Sequence, residues 1–143
     1  MGQQQLLLLV LGIVIVGLAV VAGISAFEDN QQKSEKDALV NEGMRIGTDV
    51  MANYKKPEQL GGGGEESYPS SLKDVGYDVT GENSEGSRYD TPWGNITYDS
   101  DGPTITLRPK SSSETAEITF EDGSPSLASG GWSDDSDDGG NGE

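Results

Sequence analysis

The sequence predicts an α+β protein in which one long N-terminal helix packs on a small antiparallel sheet. Leu6–Ala26 is a run of 21 residues with no charge and no proline, and the chain then continues without proline as far as Pro57. Downstream, short β-branched and aromatic stretches alternate with turn-forming residues. These observations predict a helix first and a sheet second.

The apolar run is long enough to cross a membrane. Fourteen of its 21 residues are Leu, Ile or Val, and at about 1.5 Å per residue such a helix spans the roughly 30 Å hydrocarbon core of a bilayer. A cleaved signal peptide carries positive charge before its apolar core, whereas no Lys or Arg precedes this run. The residues leave open a plain membrane anchor and a helix that lies first in a membrane and later in a filament core.

The second half of the predicted helix is amphipathic. Leu39, Gly43, Ile46, Val50 and Tyr54 recur at helical spacing. Such a stripe is buried against another element of the fold, while the first half is apolar all round. A proline at position 57 ends the helix.

Loops and strands are predicted after the helix. Gly61–Gly64 is expected to be a flexible loop, Ser70–Val75 a turn or a short helical piece, and Gly81–Arg88 a further loop. Three strands are predicted at Asn95–Tyr98, Thr104–Arg108 and Thr115–Phe120, the first two joined by an Asp/Gly turn. A meander of three or four strands then covers the stripe of the helix.

Twelve residues are expected to form the core of this head. The five assigned to packing the helix on the sheet are Ile46, Val50, Tyr54, Trp93 and Tyr98, and the others are Val40, Leu72, Ile96, Ile105, Leu107, Ile118 and Phe120. The predicted division of the chain is an apolar helix (1–27), a head (28–123) and an acidic tail (124–143). The composition of the tail predicts disorder or ordering by a metal ion.

Composition excludes several classes of function. The chain has 25 acidic and 9 basic residues, a net charge of −16, and neither His nor Cys. Ser–His–Asp and Cys–His catalysis are therefore excluded within this chain, and no pair of carboxylates lies in a recognisable catalytic setting. The charge disfavours nucleic acid as a partner. We predict no enzyme and no catalytic residue.

Two short motifs suggest modification or metal binding. Asn95-Ile96-Thr97 matches the acceptor pattern for N-linked glycosylation. Asp134 and Asp138 have the spacing of the first half of a calcium loop, and carboxylates are suitable calcium ligands. A solvated acidic tail is the alternative. Calcium is thus the one cofactor that the sequence suggests.

Two features resemble the type IV pilin superfamily, which includes the pseudopilins of type II secretion. One is the long helix that begins just after Gly2 and changes from wholly apolar to amphipathic. The other is Arg88–Tyr98, RYDTPWGNITY, which is similar to the Asp-Pro-Trp-Gly-Asn-Pro-Tyr-x-Tyr stretch of major pseudopilins and related pilins. The residues that match in type are Asp90, Pro92, Trp93, Gly94, Asn95 and Tyr98, with Thr91 inserted after the first of them.

The resemblance implies a structural subunit of a homopolymeric, extracellular pilus-like filament. It also implies an inner-membrane precursor, a pilus assembly machinery as partner, processing between Gly2 and Gln3, and, by likeness to major pseudopilins, calcium near the C-terminal end. The filament core would comprise Leu6, Leu7, Leu9, Val10, Ile13, Val14, Gly17, Val20, Val21 and Ile24. The alternatives are a major pseudopilin of a type II secretion system and a single-pass anchored surface protein.

The N-terminus departs from the pilin pattern. Processing after Gly2 would place Leu7 at the fifth mature position, where the family usually has glutamate, and the leader Met1–Gly2 contains no basic residue. The charge pair that registers subunits in the family cannot form here. Amide hydrogen bonds from Gln3–Gln5 are the expected replacement.

Overall fold

A computed structural model describes residues 2–83 and 86–134 and confirms the α+β fold. The chain forms two compact units, Met1–Ser34 and Glu35–Glu143. The boundary between them lies within the first helix, later than the boundary predicted at residue 27. The second unit is named the head below.

Helix α1 extends from Gly2 to Lys55. No proline interrupts it, and Pro57 follows two residues after its end, as predicted. Its last carbonyl groups lack partners within the helix, and the next loop supplies them. The backbone N–H of Gly63 donates to the Asn53 carbonyl at 3.0 Å, and that of Glu65 donates to the Tyr54 carbonyl at 2.8 Å.

The loop predicted at Gly61–Gly64 is present, and these hydrogen bonds tie it to the end of α1. The loop is folded over the end of α1 and includes a 3₁₀ turn at Glu58–Leu60. Gly63 is buried, and a Cβ atom there would overlap the Ser67 carbonyl oxygen. Glycine is needed at this position because the backbones approach so closely.

A second 3₁₀ turn, Leu72–Val75, lies within the piece predicted as helical. The Ser71 hydroxyl accepts from the Lys73 N–H at 3.3 Å, and the Asp74 carboxylate accepts from the Ser71 N–H at 3.1 Å. This reciprocal capping holds the turn so that Leu72 is fully buried beneath the sheet.

Among the described residues, seven strands form one antiparallel arrangement. Their bounds are β1 Gly81–Asn83, β2 Gly86–Asp90, β3 Gly94–Asp99, β4 Thr104–Pro109, β5 Glu114–Glu121, β6 Ser124–Leu127 and β7 Ser133–Asp134. The order is β1-β2-β3-β4-β5-β6, and β7 also pairs with β5. Strands β3, β4 and β5 correspond to the three predicted strands.

Strands β1 and β2 correct the prediction of a loop at Gly81–Arg88. Their composition is polar and glycine-rich, so local propensity does not favour a strand. Pairing with β3 compensates, with Ser87 opposite Tyr98 and Tyr89 opposite Ile96. The buried Ser87 hydroxyl also accepts the Leu72 N–H at 3.0 Å, which ties β2 to the second 3₁₀ turn.

Strands β6 and β7 correct the predicted start of the acidic tail. Asp122 and Gly123 adopt positive φ values of 51° and 75° and turn the chain back into the sheet. The Ala128 N–H then donates to the Glu117 carbonyl at 2.8 Å. Residues 124–134 therefore belong to the head, and the rest of the predicted tail lies outside the described residues.

The core lies between the sheet and the second half of α1. The fully buried large side chains are Leu39, Ile46, Val50, Leu72, Ile96, Tyr98, Ile105, Leu107 and Ile118. Tyr54 is half-buried and stacks on Tyr68 with ring centroids 4.3 Å apart. Val40 and Phe120 are half-buried at the margin. Met51 and Ala116 complete the set of buried hydrophobic residues. The predicted core omitted these two residues and Leu39.

Trp93 corrects the predicted core. It retains 41% of its surface exposed, because it lies in the turn between β2 and β3 and not within a strand. Its predicted role in packing the helix on the sheet is therefore wrong.

Two glycines bring α1 close to the sheet. A Cβ atom on Gly43 would lie 2.7 Å from a methyl group of Leu107, and one on Gly47 would lie 2.7 Å from Cβ of Pro125. Both distances are shorter than ordinary van der Waals contact. The Pro125 ring, on β6, thus occupies the space that a side chain at position 47 would need.

Candidate functional site

The candidate functional site is the apolar segment Leu6–Ala26 of α1. Every Leu, Ile and Val side chain in it is 52–70% exposed. The first charged residue is Glu28, so the exposed surface is apolar on every side of the helix. Nothing within the unit Met1–Ser34 covers these side chains.

By length and composition, this helix can cross a membrane; it is the one such helix in the part of the chain that the structure describes. An N-terminal signal sequence would meet the same criteria. Apolar surface of this extent is unfavourable in water, at roughly 25 cal/mol per Å². The segment is therefore suited to lipid or to contact with other apolar helices.

All the predicted filament-core residues lie on this segment and are exposed, namely Leu6, Leu7, Leu9, Val10, Ile13, Val14, Gly17, Val20, Val21 and Ile24. The space around each glycine of the segment is open, since a Cβ atom on Gly12, Gly17 or Gly23 would have no atom within 4 Å. The predicted processing residues Gly2 and Gln3 form the first described turn of α1.

The turn at Thr91–Gly94 shapes the middle of the Arg88–Tyr98 stretch. The Thr91 N–H donates to the Gly94 carbonyl at 2.8 Å, and the Thr91 hydroxyl accepts the Gly94 N–H at 3.1 Å. A Cβ atom on Gly94 would lie 2.9 Å from a methyl carbon of Leu39. Thr91 is therefore the residue that closes the turn.

A polar cluster missed by the sequence reasoning ties three parts of the head together. Lys36 on α1 forms an ion pair with Glu114 on β5, and its ammonium lies 5.4 Å from the Trp132 ring centroid. The Ser112 hydroxyl donates to the same carboxylate at 3.0 Å. The hydrogen bond from Lys36, more than that from Ser112, holds the pKa of Glu114 below its usual value.

Two tyrosines act as neutral donors. The Tyr77 hydroxyl donates to the Asp49 carboxylate at 2.5 Å, and the buried Tyr98 hydroxyl donates to the Pro69 carbonyl at 2.9 Å. Burial is the main cause that raises the pKa of both phenols well above the usual value, and for Tyr77 the hydrogen bond to Asp49 adds to it. These contacts fix loops onto the helix and sheet.

The predicted calcium ligands remain a prediction. Asp134 is exposed on β7, and Asp138 lies outside the described residues. Within residues 2–83 and 86–134, no three carboxylate, His or Cys side chains cluster in a way that could hold a metal ion. The glycosylation candidate Asn95 lies on β3 and is partly exposed.

Comparison of the chain with protein-family models, with curated protein sequences and with solved structures gives no match.

Proposed function

We propose that this protein is the structural subunit of a homopolymeric, type IV pilus-like extracellular filament. Before assembly, the apolar segment holds the subunit in the inner membrane, from which a pilus assembly machinery takes it up. After assembly, the same segments of many subunits bundle in the filament core. The heads face solvent, and the protein has no catalytic role.

The observation that carries the proposal is the exposure of fourteen Leu, Ile and Val side chains all round one continuous helix. A helix that is apolar all round requires apolar surroundings on every side. A bilayer provides them before assembly, and a bundle of identical helices provides them afterwards. The acidic heads keep the assembly soluble because net charge of one sign opposes aggregation.

Two other functions are the alternatives to a pilus subunit. Leu7, in place of the family's glutamate, favours a single-pass anchored surface protein, because it removes the charge that registers subunits. The Arg88–Tyr98 motif favours a major pseudopilin. Filaments on the cell surface support a pilus, short periplasmic assemblies support a pseudopilin, and a membrane-bound protein without filaments supports an anchor.

The test is electron microscopy of the fraction sheared from the surface of cells that make the protein, together with the intact mass of the subunit. We expect filaments of regular helical repeat composed of this chain, with Met1–Gly2 absent. Detection of the chain solely in the membrane fraction, without filaments, would contradict the proposal. A full-length mass in genuine filaments would reject processing while leaving the filament role intact.

A further inference from the structure

Asn95 lies where a modified side chain can be carried without disturbing the core. On β3, Gly94, Ile96 and Tyr98 are buried against the helix side of the sheet, whereas Asn95 and Thr97 are partly exposed. Alternation along the strand places these two residues together on the outer face. Both conserved positions of the acceptor pattern are therefore presented on one surface.

The side chain of Asn95 has no structural task within the described residues. It forms no hydrogen bond with any of them, unlike Asn30, whose amide donates to the Ala26 carbonyl at 2.7 Å. Its register partners across the sheet are Asp90 and Arg108, both polar and exposed. The Asn95 Nδ2 atom is thus available as a nucleophile.

Trp93 provides a second, independent observation beside it. The indole lies two residues before Asn95, is 41% exposed, and stacks on no ring among the described residues. Its backbone is held on both sides, by the Thr91–Gly94 hydrogen bonds and by the Lys110 N–H, which donates to the Trp93 carbonyl at 3.0 Å. A large apolar side chain held partly exposed at the surface can take a contact from outside the fold.

A sugar linked to Asn95 fits that contact. The C–H groups on one face of a pyranose ring carry partial positive charge, and the face of an aromatic ring is negative. A ring attached at Asn95 can therefore lie against the indole at position −2. The chain contains a single Asn-x-Ser/Thr pattern, and it is the one preceded by this exposed tryptophan.

We propose that Asn95 carries an N-linked glycan whose first sugar packs on Trp93. An oligosaccharyltransferase and a sugar donor linked to a lipid phosphate are required. The Asn95 Nδ2 atom attacks the anomeric carbon, a C–N bond forms, and the C–O bond to phosphate breaks. The lipid phosphate leaves with the bonding electron pair, and Nδ2 loses one proton to the transferase base. The proposal requires export of the head and does not depend on filament formation.

The first test is mass spectrometry of the full chain purified from the cells that produce it. We expect a hexose or aminosugar mass on the peptide containing Asn95, lost completely in Asn95→Gln and Thr97→Ala and retained in Thr97→Ser. Asn41→Gln changes an exposed asparagine outside the pattern and should retain the glycan. An unmodified Asn95 peptide, or sugar found on Ser or Thr alone, would overturn the proposal.

The second test measures the contact with Trp93. In Trp132→Phe the sole tryptophan is Trp93, and enzymatic removal of the glycan should shift its emission to longer wavelength and increase its quenching by acrylamide. In Trp93→Phe the remaining Trp132 should not respond, and near-ultraviolet circular dichroism verifies that both variants fold. A glycosylated Trp132→Phe protein whose emission is unchanged by deglycosylation would overturn the packing on Trp93.

Discussion

Two stretches of the same helix use apolar residues in different ways. Leu6–Ala26 is apolar all round, and its Leu, Ile and Val side chains are at least half exposed. In the head, α1 has one apolar stripe, and Leu39, Ile46 and Val50 on it are buried by the sheet. The sheet packs one of its faces on α1. That face can cover one stripe of a helix but not a helix that is apolar on every side.

This difference shows whether the apolar contacts that cover each stretch come from the same chain or from outside it. The stripe obtains its partner from the same chain, so its contribution is to the stability of the head. The apolar segment obtains none within its own unit, so its contribution is to contacts with lipid or with other chains. Substitutions in the two stretches should therefore affect different measurements.

The largest effect is expected from Val14→Asp in the apolar segment. A carboxylate at the centre of a membrane helix costs about 2.5–3.5 kcal/mol on insertion scales, and an unpaired charge in a dry bundle costs more. We expect loss of membrane insertion or of filaments, measured by fractionation and electron microscopy. Val14→Leu is the matched control and should assemble normally. Normal filaments from Val14→Asp would refute a packed apolar core.

Ile46→Ala should lower the stability of the head without removing the protein from the membrane. Ile46 is fully buried, and such truncations cost about 2–5 kcal/mol through lost burial and a cavity. The measurement is the urea midpoint of the full chain in detergent. Thr48→Ala changes an exposed residue two positions along the same helix and should leave the midpoint nearly unchanged. Equal midpoints for both variants would show that the stripe is not buried.

Gly47→Ala should produce a smaller loss. The added methyl group would lie 2.7 Å from the Pro125 ring, and overpacking of this kind costs about 1–3 kcal/mol, partly offset by the better helix propensity of alanine. Gly23→Ala, where the space is open, is the control and should leave the head as stable as before. A Gly47→Ala protein more stable than the parent would disprove the close approach of helix and sheet.

The smallest effect concerns the ion pair of Lys36 and Glu114. Its partners hold the pKa of Glu114 lower in the folded than in the unfolded chain. The stabilisation is therefore fully present above the unfolded value of about 4.3 and disappears as the pH falls through the lower folded value. Glu114→Gln should lower the urea midpoint slightly at pH 7 and not at pH 2.

Glu117→Gln, an exposed change on the same strand, is the control for that series and should leave the midpoint unchanged at pH 7. If Glu114→Gln and Glu117→Gln had the same urea midpoints at both pH values, the ion pair would make no contribution to the stability of the head.

Sequence periodicity was sufficient for the elements with strong local signals. The long helix, the stop near Pro57 and strands β3 to β5 were all predictable because hydrophobic spacing and turn residues agree there. Strands β2 and β6 were not, since Ser87 and Pro125 have little strand propensity and gain their place from pairing and from contact with distant residues. The Lys36–Glu114 pair joins positions 78 residues apart, and no local pattern predicts it.

Trp93 shows a different limit of sequence reasoning. An aromatic residue next to a strand is usually counted toward the core, yet the Thr91–Gly94 turn keeps this one at the surface. The exposure of the apolar segment was predictable in kind, because a helix that is apolar on every side has no single face to bury against one neighbouring element.

The most direct test of the central claim is electron cryo-microscopy with helical reconstruction of the assembled full chain. We expect a filament whose core consists of α1 segments from neighbouring subunits. The Leu6–Ala26 side chains should be in mutual contact, and the side of the sheet that carries Asn95 and Thr97 should face solvent. A subunit that remains a monomer in detergent and in membranes, with Leu6–Ala26 surrounded by lipid alone, would contradict that claim.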